Sequence, residues 1–553
     1  MSVDSAIPTA GPTPPRTWSL LVLGALLCGF AVWREGSVSG QDEYWLTFRT
    51  PMEMLDRGDW WTPWLSGEPR LQKPPLLYWL ICTSYEVLGR NLLAARLWSV
   101  LCGATLALLA ARFDRMLFRR DGTLAALIVL SSVGVAVESR RAMLDLPMGC
   151  FAVLAVWCGA RWLRSGRLRD LVAGAVALAA AMLVKGPVAL LFAATAGIAA
   201  GLAARGSHGA HLPAARRTAH LLVAAAVLLG LTLPWPLSMA AKWPQLGEVL
   251  AEQTEARQFQ FDPLSSFGPV VGGGLALILP WSLTLLAALF ARRKDDPQRS
   301  AARWLIAWIA LSALPFLFMK SFERYLIPMV VPAAVLAARW LESASPRARR
   351  THGVIALALL AIPTLALCGF TLWFGLAIAA PLLALLTLCI ALRAAIRGAE
   401  PRRLAMAAAV QLALLLGAVY PAIGINALPD DLPADLAQRD VAVYRISQPG
   451  MVSLRAGHSV IAIRDGDTLT ERLRGFDGYV FVADERADDF VAEARSAGLA
   501  ADRVQSFRSF FSRKTWLRFA RDGASSDDWW TAFRTRDLDA LRPGFTCYRV
   551  HRA

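Results

Sequence analysis

Thirteen apolar runs punctuate this chain, at 17–33, 91–111, 122–137, 146–162, 171–184, 187–204, 219–238, 269–291, 304–319, 325–341, 353–368, 371–392 and 404–423. No water reaches a bilayer core to satisfy exposed backbone groups, so a crossing segment must be a helix of about 20 mostly apolar residues. Runs of that kind, repeated this often, leave a polytopic helical membrane protein as the expected class. Composition agrees: of 553 residues, 56% are hydrophobic and 18% charged, with a mean hydropathy of +0.44. Those values lie outside the soluble globular range. The opening "MSVDSAIPTAGPTPPR" is too long and proline-rich for a signal n-region, and no A-x-A-like site follows the first run. That run is therefore expected to be a retained helix.

Charge gives the runs a direction. Residues 424–553 hold 19 basic and 19 acidic side chains, so the net +16 of the chain belongs to residues 1–423. A basic nucleic-acid face is the naive reading of that excess, and basic membrane loops are the better one. Alternate loops read "RFDRMLFRRDG", "RWLRSGRLRD", "RGSHGAHLPAARR", "RRKDDPQRSAAR", "RWLESASPRARR" and "RAAIRGAEPRR", with 24 Arg or Lys among them. The positive-inside rule puts these loops in the cytoplasm, with the N-terminus beside them. An odd number of crossings then places residues 424–553 outside.

That last stretch lacks long apolar runs. "VAVYRIS", "SVIAIRD" and "GYVFVAD" have the β-branched character of short strands, and "ADDFVAEARSAGL" has helical spacing. The expected domain pair is a membrane domain over 1–423 and a small α/β domain over 424–553. His458 in the latter is expected to be a surface or core residue. The eight cysteines fall mostly inside apolar runs without C-x-x-C spacing and look like small buried hydrophobes. Only Cys82 and Cys547 sit where exposure, and a bridge between them, is left open.

On the outer side the motifs accumulate. "QDEYWL" (41–46) sets Asp42 and Glu43 just beyond the first helix. The loop 34–90 is long and crowded with Trp45, Phe48, Trp60, Trp61, Trp64, Tyr78 and Trp79, and prolines 51, 74 and 75 break it into short pieces. An aromatic belt at headgroup depth accounts for the rings alone. "LQKPPLL" holds Lys73 beside two prolines, "MLVKGPVALL" pins Lys185 between apolar runs, and "LFMKSFERYLIP" carries Lys320, Arg324 and Tyr325. Each lysine could simply snorkel, but charges held at such depth are usually functional. "RRAMLDLP" places Asp145 at a helix mouth, with Pro147 suited to an early helix position. Carboxylates facing several fixed cations suit an anionic lipid substrate, with the acids orienting hydroxyls or acting as a base. His208, His211, His220 and His352 all fall on the cytoplasmic side, so a histidine mechanism on the outer face is not expected.

In this order these motifs resemble the polyprenyl-phosphate-sugar-dependent GT-C glycosyltransferases. The 4-amino-4-deoxy-L-arabinose lipid A transferases and the protein O-mannosyltransferases are the relatives in view. "DEYW", "MLDRGDWWTPWLSGEPRLQKPPLLYWL", "RRAMLDLPMG", "VKGPVALL", "LPWPL" and "SFERYLIP" carry the resemblance, which is best in the first half and diffuse after residue 330. It implies transfer of a sugar, aminoarabinose or related, from undecaprenyl phosphate to lipid A or another envelope glycolipid. The setting would be the periplasmic face of a bacterial inner membrane, and a linked phenotype would be polymyxin resistance. It implies Asp42 and Asp145, with Glu43 beside them, as catalytic acids. Lys73 and Arg257 would hold phosphate, Tyr325 would touch the cavity, and Lys185, Lys320 and Arg324 would add to the lipid-phosphate site. Gln72 stands where the aminoarabinose transferases usually carry Glu, and a histidine expected near "EQTEAR" (252–257) is absent, with Glu252 or Thr254 in its neighbourhood. Both family positions can bind a metal, so these departures speak against a divalent cofactor.

Two other classes compete. A flippase or transporter for such a lipid usually shows internal repeats with broken helices in matched halves; no repeat is visible, and the charges gather on one face. A structural protein leaves the five outer charged motifs without a purpose.

Overall fold

The computed structural model describes residues 17–40, 42–203, 213–255, 263–291, 298–446, 449–512 and 518–553. Among them, eight helices are long and apolar enough to cross a membrane, or nine if a sharply bent pair is one span. Shorter apolar helices cover Thr17–Gly29, Leu76–Leu88 and Val188–Ala203. Each of the thirteen runs coincides with helix, though not always with one unbroken span.

Two runs are broken, and the breaks complete each other. Run 122–137 splits into Thr123–Leu130 and Val133–Glu138, with the hydroxyls of Ser131 and Ser132 donating back to Leu127 O and Ile128 O, each at 2.6 Å. Serines that bond back in this way compete with the helix ladder and bend it. The second break bends Leu264–Leu277 against Ser282–Phe290 by 104°, around Pro280, which cannot donate to the ladder. In hydrocarbon, freed backbone groups need partners. Here Val133 N–H donates to Leu279 O at 2.8 Å and Trp281 Nε1 donates to Ser131 Oγ at 2.8 Å. Gly134 permits the approach, since a Cβ there would lie 2.9 Å from Leu277 O.

At one end of the bundle three of the arginine-rich loops knit together. Arg120 pairs with Glu342 at 3.2 Å, and Arg402 pairs with Asp121 at 2.6 Å and Glu342 at 3.6 Å. At the other end lies segment 34–90. It opens with a wide turn, Glu43–Thr47, followed by a helix Arg49–Arg57 and a two-strand hairpin, β1 (Trp64–Leu65) and β2 (Glu68–Pro69), before Leu76–Leu88. Asp59 clasps this hairpin region: it accepts from Trp61 N, Thr62 N and Trp64 Nε1, each at 3.0 Å, and pairs with Lys242 at 3.2 Å. Burial opposes its ionisation, but these donors outweigh it and hold the carboxyl well below the usual range.

The C-terminal domain carries β3 (Asp440–Tyr444), β4 (Ile461–Ile463), β5 (Gly478–Ala483), β6 (Leu499–Arg508) and β7 (Gly544–Arg552). They form one mixed sheet in the order β4-β3-β5-β7-β6, with β3 parallel to β4 and β5, and β7 antiparallel to β5 and β6. The three strands and the helix Ala487–Ser496 expected from sequence are present. β6, β7 and the helix Ser526–Thr535 were not anticipated. β6 is largely exposed and polar, and β7 mixes Thr, Cys, Tyr and Arg, so neither reads as an apolar strand. Cys82 and Cys547 are both buried and free, with no bridge between them, Cys547 because β7 is an inner strand; Cys389 is the exposed thiol. His458 is half-buried, its ring hydrogen-bonded to Ser459 O.

The domain sits directly on segment 34–90. Arg455 clamps Glu35 with both carboxylate oxygens at 2.9 Å, Asp56 accepts from Ser459 N at 2.9 Å, and Asn426 donates to Ser39 Oγ at 2.7 Å. Arg49 is buried and donates to Val460 O at 3.2 Å. Burial lowers it to about 10, opposed by Glu53 and aided by Arg464, so it stays charged at neutral pH.

Candidate active site

Asp145 and Lys185 meet because two helices end where they do. "RRAMLD" leaves the short helix Val133–Glu138 and enters Asp145–Ser165, so Asp145 occupies a helix N-terminus, where a carboxylate is favoured. "VKGP" ends Leu168–Lys185 at Gly186, whose φ of +88° suits glycine, so Lys185 occupies a helix C-terminus, where a cation is favoured. The two side chains form a salt bridge, almost wholly out of solvent. Lys185 Nζ also lies 3.9 Å from the ring centre of Tyr325, a cation–π contact. Arg324, on the short helical turn Glu323–Met329, pairs with Asp145 Oδ2 at 3.3 Å and with Asp42 Oδ2 at 3.5 Å.

Around these groups is a cavity of about 520 Å³ whose walls include Asp42, Arg70, Lys73, Arg141, Asp145, Lys185, Arg324 and Tyr325. Lys73 reaches it from the "KPP" turn and donates to Gln253 Oε1 at 3.3 Å, on the helix Leu246–Glu255. Next to it runs a groove of about 570 Å³ lined by Leu183, Leu233, Trp235, Leu246 and Leu250, which shares Lys73 and Lys185 with the cavity. An apolar groove opening onto two ammonium groups has the chemistry of a lipid phosphate: chain in the groove, headgroup on the cations.

The structure thus brings together Asp42, Asp145, Lys73, Lys185, Arg324 and Tyr325. Glu43 goes elsewhere. It is fully buried on the far side of its turn, where Arg96 grips it at 2.7 and 3.0 Å and Ala142 N donates to it at 2.7 Å. Lys320 is exposed and does not line the cavity. Arg257 lies outside the described residues, just beyond the helix that carries Gln253. Arg70 and Arg141 were not singled out in the sequence. Arg141 lay inside a quoted motif, beside an identical neighbour, Arg140, which is buried and donates to Leu27 O at 2.8 Å.

A divalent metal does not fit these residues. The neighbour of Asp42 is the Arg324 guanidinium, not a second acid, and Gln72 is exposed and lines the groove. Among the described residues no three His, Cys, Asp or Glu side chains converge.

Known proteins resemble this one in sequence and in shape. The family described as dolichyl-phosphate-mannose-protein mannosyltransferase matches residues 72–235. The undecaprenyl phosphate-α-4-amino-4-deoxy-L-arabinose arabinosyl transferase of Serratia proteamaculans is 28% identical over 313 residues, 52% of this chain and 53% of its own. A second such transferase, from Pseudomonas fluorescens, is 28% identical over 302 residues, 51% and 49%. The chain spans about half the length of these curated relatives. The crystal structure of ArnT from Cupriavidus metallidurans in the apo state superposes with a TM-score of 0.68 at 18% identity, over 96% of this chain and 97% of that one. Its form bound to undecaprenyl phosphate gives 0.69 at 17%, with the same coverage. In motif order, in sequence and in fold, the chain is similar to the ArnT group of GT-C glycosyltransferases.

Proposed function

We propose that this protein transfers a sugar from a polyprenyl phosphate, undecaprenyl phosphate by its relatives' names, to lipid A or another envelope glycolipid. The reading places the reaction on the periplasmic side of a bacterial inner membrane. The observation that carries it is the cavity of Asp42, Lys73, Asp145, Lys185, Arg324 and Tyr325, drawn from four separate segments and continuous with an apolar groove through Lys73 and Lys185. The relatives are named for a 4-amino sugar, which supports aminoarabinose or a related sugar as the group transferred.

The chemistry follows from the charges. As the glycosidic bond breaks, negative charge builds on the departing lipid phosphate, and Lys73 and Lys185 stabilise it. Lys185 is held in place by Asp145 and Tyr325, so little reorganisation accompanies the charge. Asp42 is half exposed to the cavity and free of the buried Asp145–Lys185 pair, which suits it to accept the proton of the attacking acceptor group. The match to the mannosyltransferase family supports a second reading, in which the acceptor is a protein hydroxyl.

Mass spectrometry of lipid A from cells with and without the gene tests the first reading. A sugar increment that appears with the gene and disappears in Asp42→Asn, at equal protein level, is expected. Unchanged lipid A with newly glycosylated protein would replace the first reading by the second.

A further inference from the structure

The C-terminal domain exposes little of its apolar surface, and most of what it exposes gathers in one place. Among its described residues the large apolar side chains left exposed are Val504, Trp530 and Phe533. Val504 lies on β6, whereas Trp530 and Phe533 share the helix Ser526–Thr535, three residues apart on one face. Their rings stack with centres 5.7 Å apart. Other groups hold this helix in place. Trp529 meets Phe519 edge-on at 6.1 Å, Ala532 is buried, and Ser525 closes a capping box with Asp528.

The exposed pair continues onto Trp373, the last residue of the membrane-length helix Pro346–Trp373. Phe533 stacks on Trp373 with ring centres 4.6 Å apart, and Trp373 Nε1 donates to Phe533 O at 2.9 Å. Arg536 lies over the Trp373 ring at 4.5 Å, and Arg534 over Trp530 at 5.7 Å. A tryptophan at the end of a spanning helix marks headgroup depth, because its ring is apolar and its N–H polar. Trp373, Phe533 and Trp530 are 37%, 43% and 57% exposed and make one apolar ledge running from the span onto the soluble domain. Scattered apolar residues need no explanation, but a ledge continuous with a membrane helix does.

Charge decides how such a ledge would hold. Residues 521–542 carry four arginines and five aspartates, a net charge of −1. Arg521 is paired with Asp528 and Arg542 with Asp539. Attraction to anionic lipid therefore contributes little, and burial of the rings carries the contact. Arg536 puts a cation at the end of the helix beside Trp373, and Asp527 and Asp528 lie at the other end.

We propose that Ser526–Thr535 is an interfacial helix, whose Trp530–Phe533 face docks on the lipid surface beside the Pro346–Trp373 span. The C-terminal domain is then held at two places, on segment 34–90 and on the membrane itself.

Spin labels on the full chain in phosphatidylcholine nanodiscs test this, with the exposed thiol removed by Cys389→Ser. A nitroxide at Trp530→Cys should collide with dissolved oxygen, relative to a water-soluble nickel chelate, several-fold more than one at Val504→Cys. Added phosphatidylglycerol or salt should leave that ratio unchanged. A second measurement needs no label. Trp530→Ser with Phe533→Ser removes exposed rings, so the fold should hold in detergent, while amide exchange across 526–535 in nanodiscs should rise about tenfold. Equal collision ratios at the two labelled sites, or exchange unmoved by the double substitution, overturns the lipid surface as the occupant. Dipolar broadening between Trp530→Cys labels on neighbouring copies in vesicles also overturns it, and puts a second copy of this chain on the ledge.

Discussion

Asp42 and Glu43 are neighbours in sequence with opposite fates, and the wide turn Glu43–Thr47 decides between them. It points Glu43 into the bundle, onto Arg96, and leaves Asp42 beside Arg324. Substitutions should separate the two roles. Glu43→Gln strips a buried arginine of its counter-charge, and breaking such a pair destabilises by about 3–5 kcal/mol; the expected readout is a large fall in melting temperature in detergent. Lys185→Met should act the other way. Asp145 keeps Arg324 as a partner, so the fold survives, while turnover of a lipid-linked donor falls about 100-fold, the scale for losing one preorganised stabilising group. Thermal melts and turnover measured side by side would check both. Sequence reading found Lys73, Asp145 and Lys185 because charge embedded in apolar chain is conspicuous. It could not rank Asp42 above Glu43, nor Arg141 above Arg140, since that depends on which way a single turn faces.

Among the elements, the paired breaks do most to shape the site. Run 122–137 was legible as apolar, but its interruption at Ser131–Ser132 was not, because serines that bond back to their own helix leave hydropathy almost unchanged. The break turns "ESRRAMLD" across the end of the bundle, which brings Arg141 and Asp145 to one wall of the cavity, with the buried Glu138 paired to Arg141. Gly134 keeps that arrangement against Leu277. Gly134→Ala should force the two broken helices apart and destabilise by about 1–3 kcal/mol, the range for overpacking. Activity should fall beyond what the melting temperature explains, because the wall moves with the break. Turnover compared with the fraction folded would show it. In the C-terminal domain the three apolar strands announced themselves, and exposed β6 did not, since half its residues have no core to fill.

For the whole molecule, we propose the orientation that the arginine-rich loops suggest, and three of those loops share one ion-pair cluster at the end opposite the cavity. The C-terminal domain lies at the cavity end and buttresses it. Gly450, on the helix Pro449–Ala456, approaches Tyr44 O so closely that a Cβ would sit 2.1 Å away, directly against the turn that presents Asp42. Single-cysteine labelling with a membrane-impermeant reagent tests the orientation, helped by a low background: seven of the eight native cysteines are buried. Ser526→Cys, exposed on the C-terminal domain, should label in intact spheroplasts, and Ser343→Cys, exposed at the opposite end, should label only after permeabilisation. Reversed labelling would place the cavity on the cytoplasmic side.

Transfer by purified protein in vesicles measures directly whether this cavity moves a sugar from a lipid phosphate. A radiolabelled sugar on undecaprenyl phosphate is mixed with lipid A, and label is followed into the acceptor and out of the donor. Label should appear in lipid A, matched by free undecaprenyl phosphate, be abolished by Asp42→Asn and be strongly reduced by Lys185→Met. Movement of intact donor between leaflets with no change of its glycosidic bond would contradict it and make this protein a carrier of the lipid.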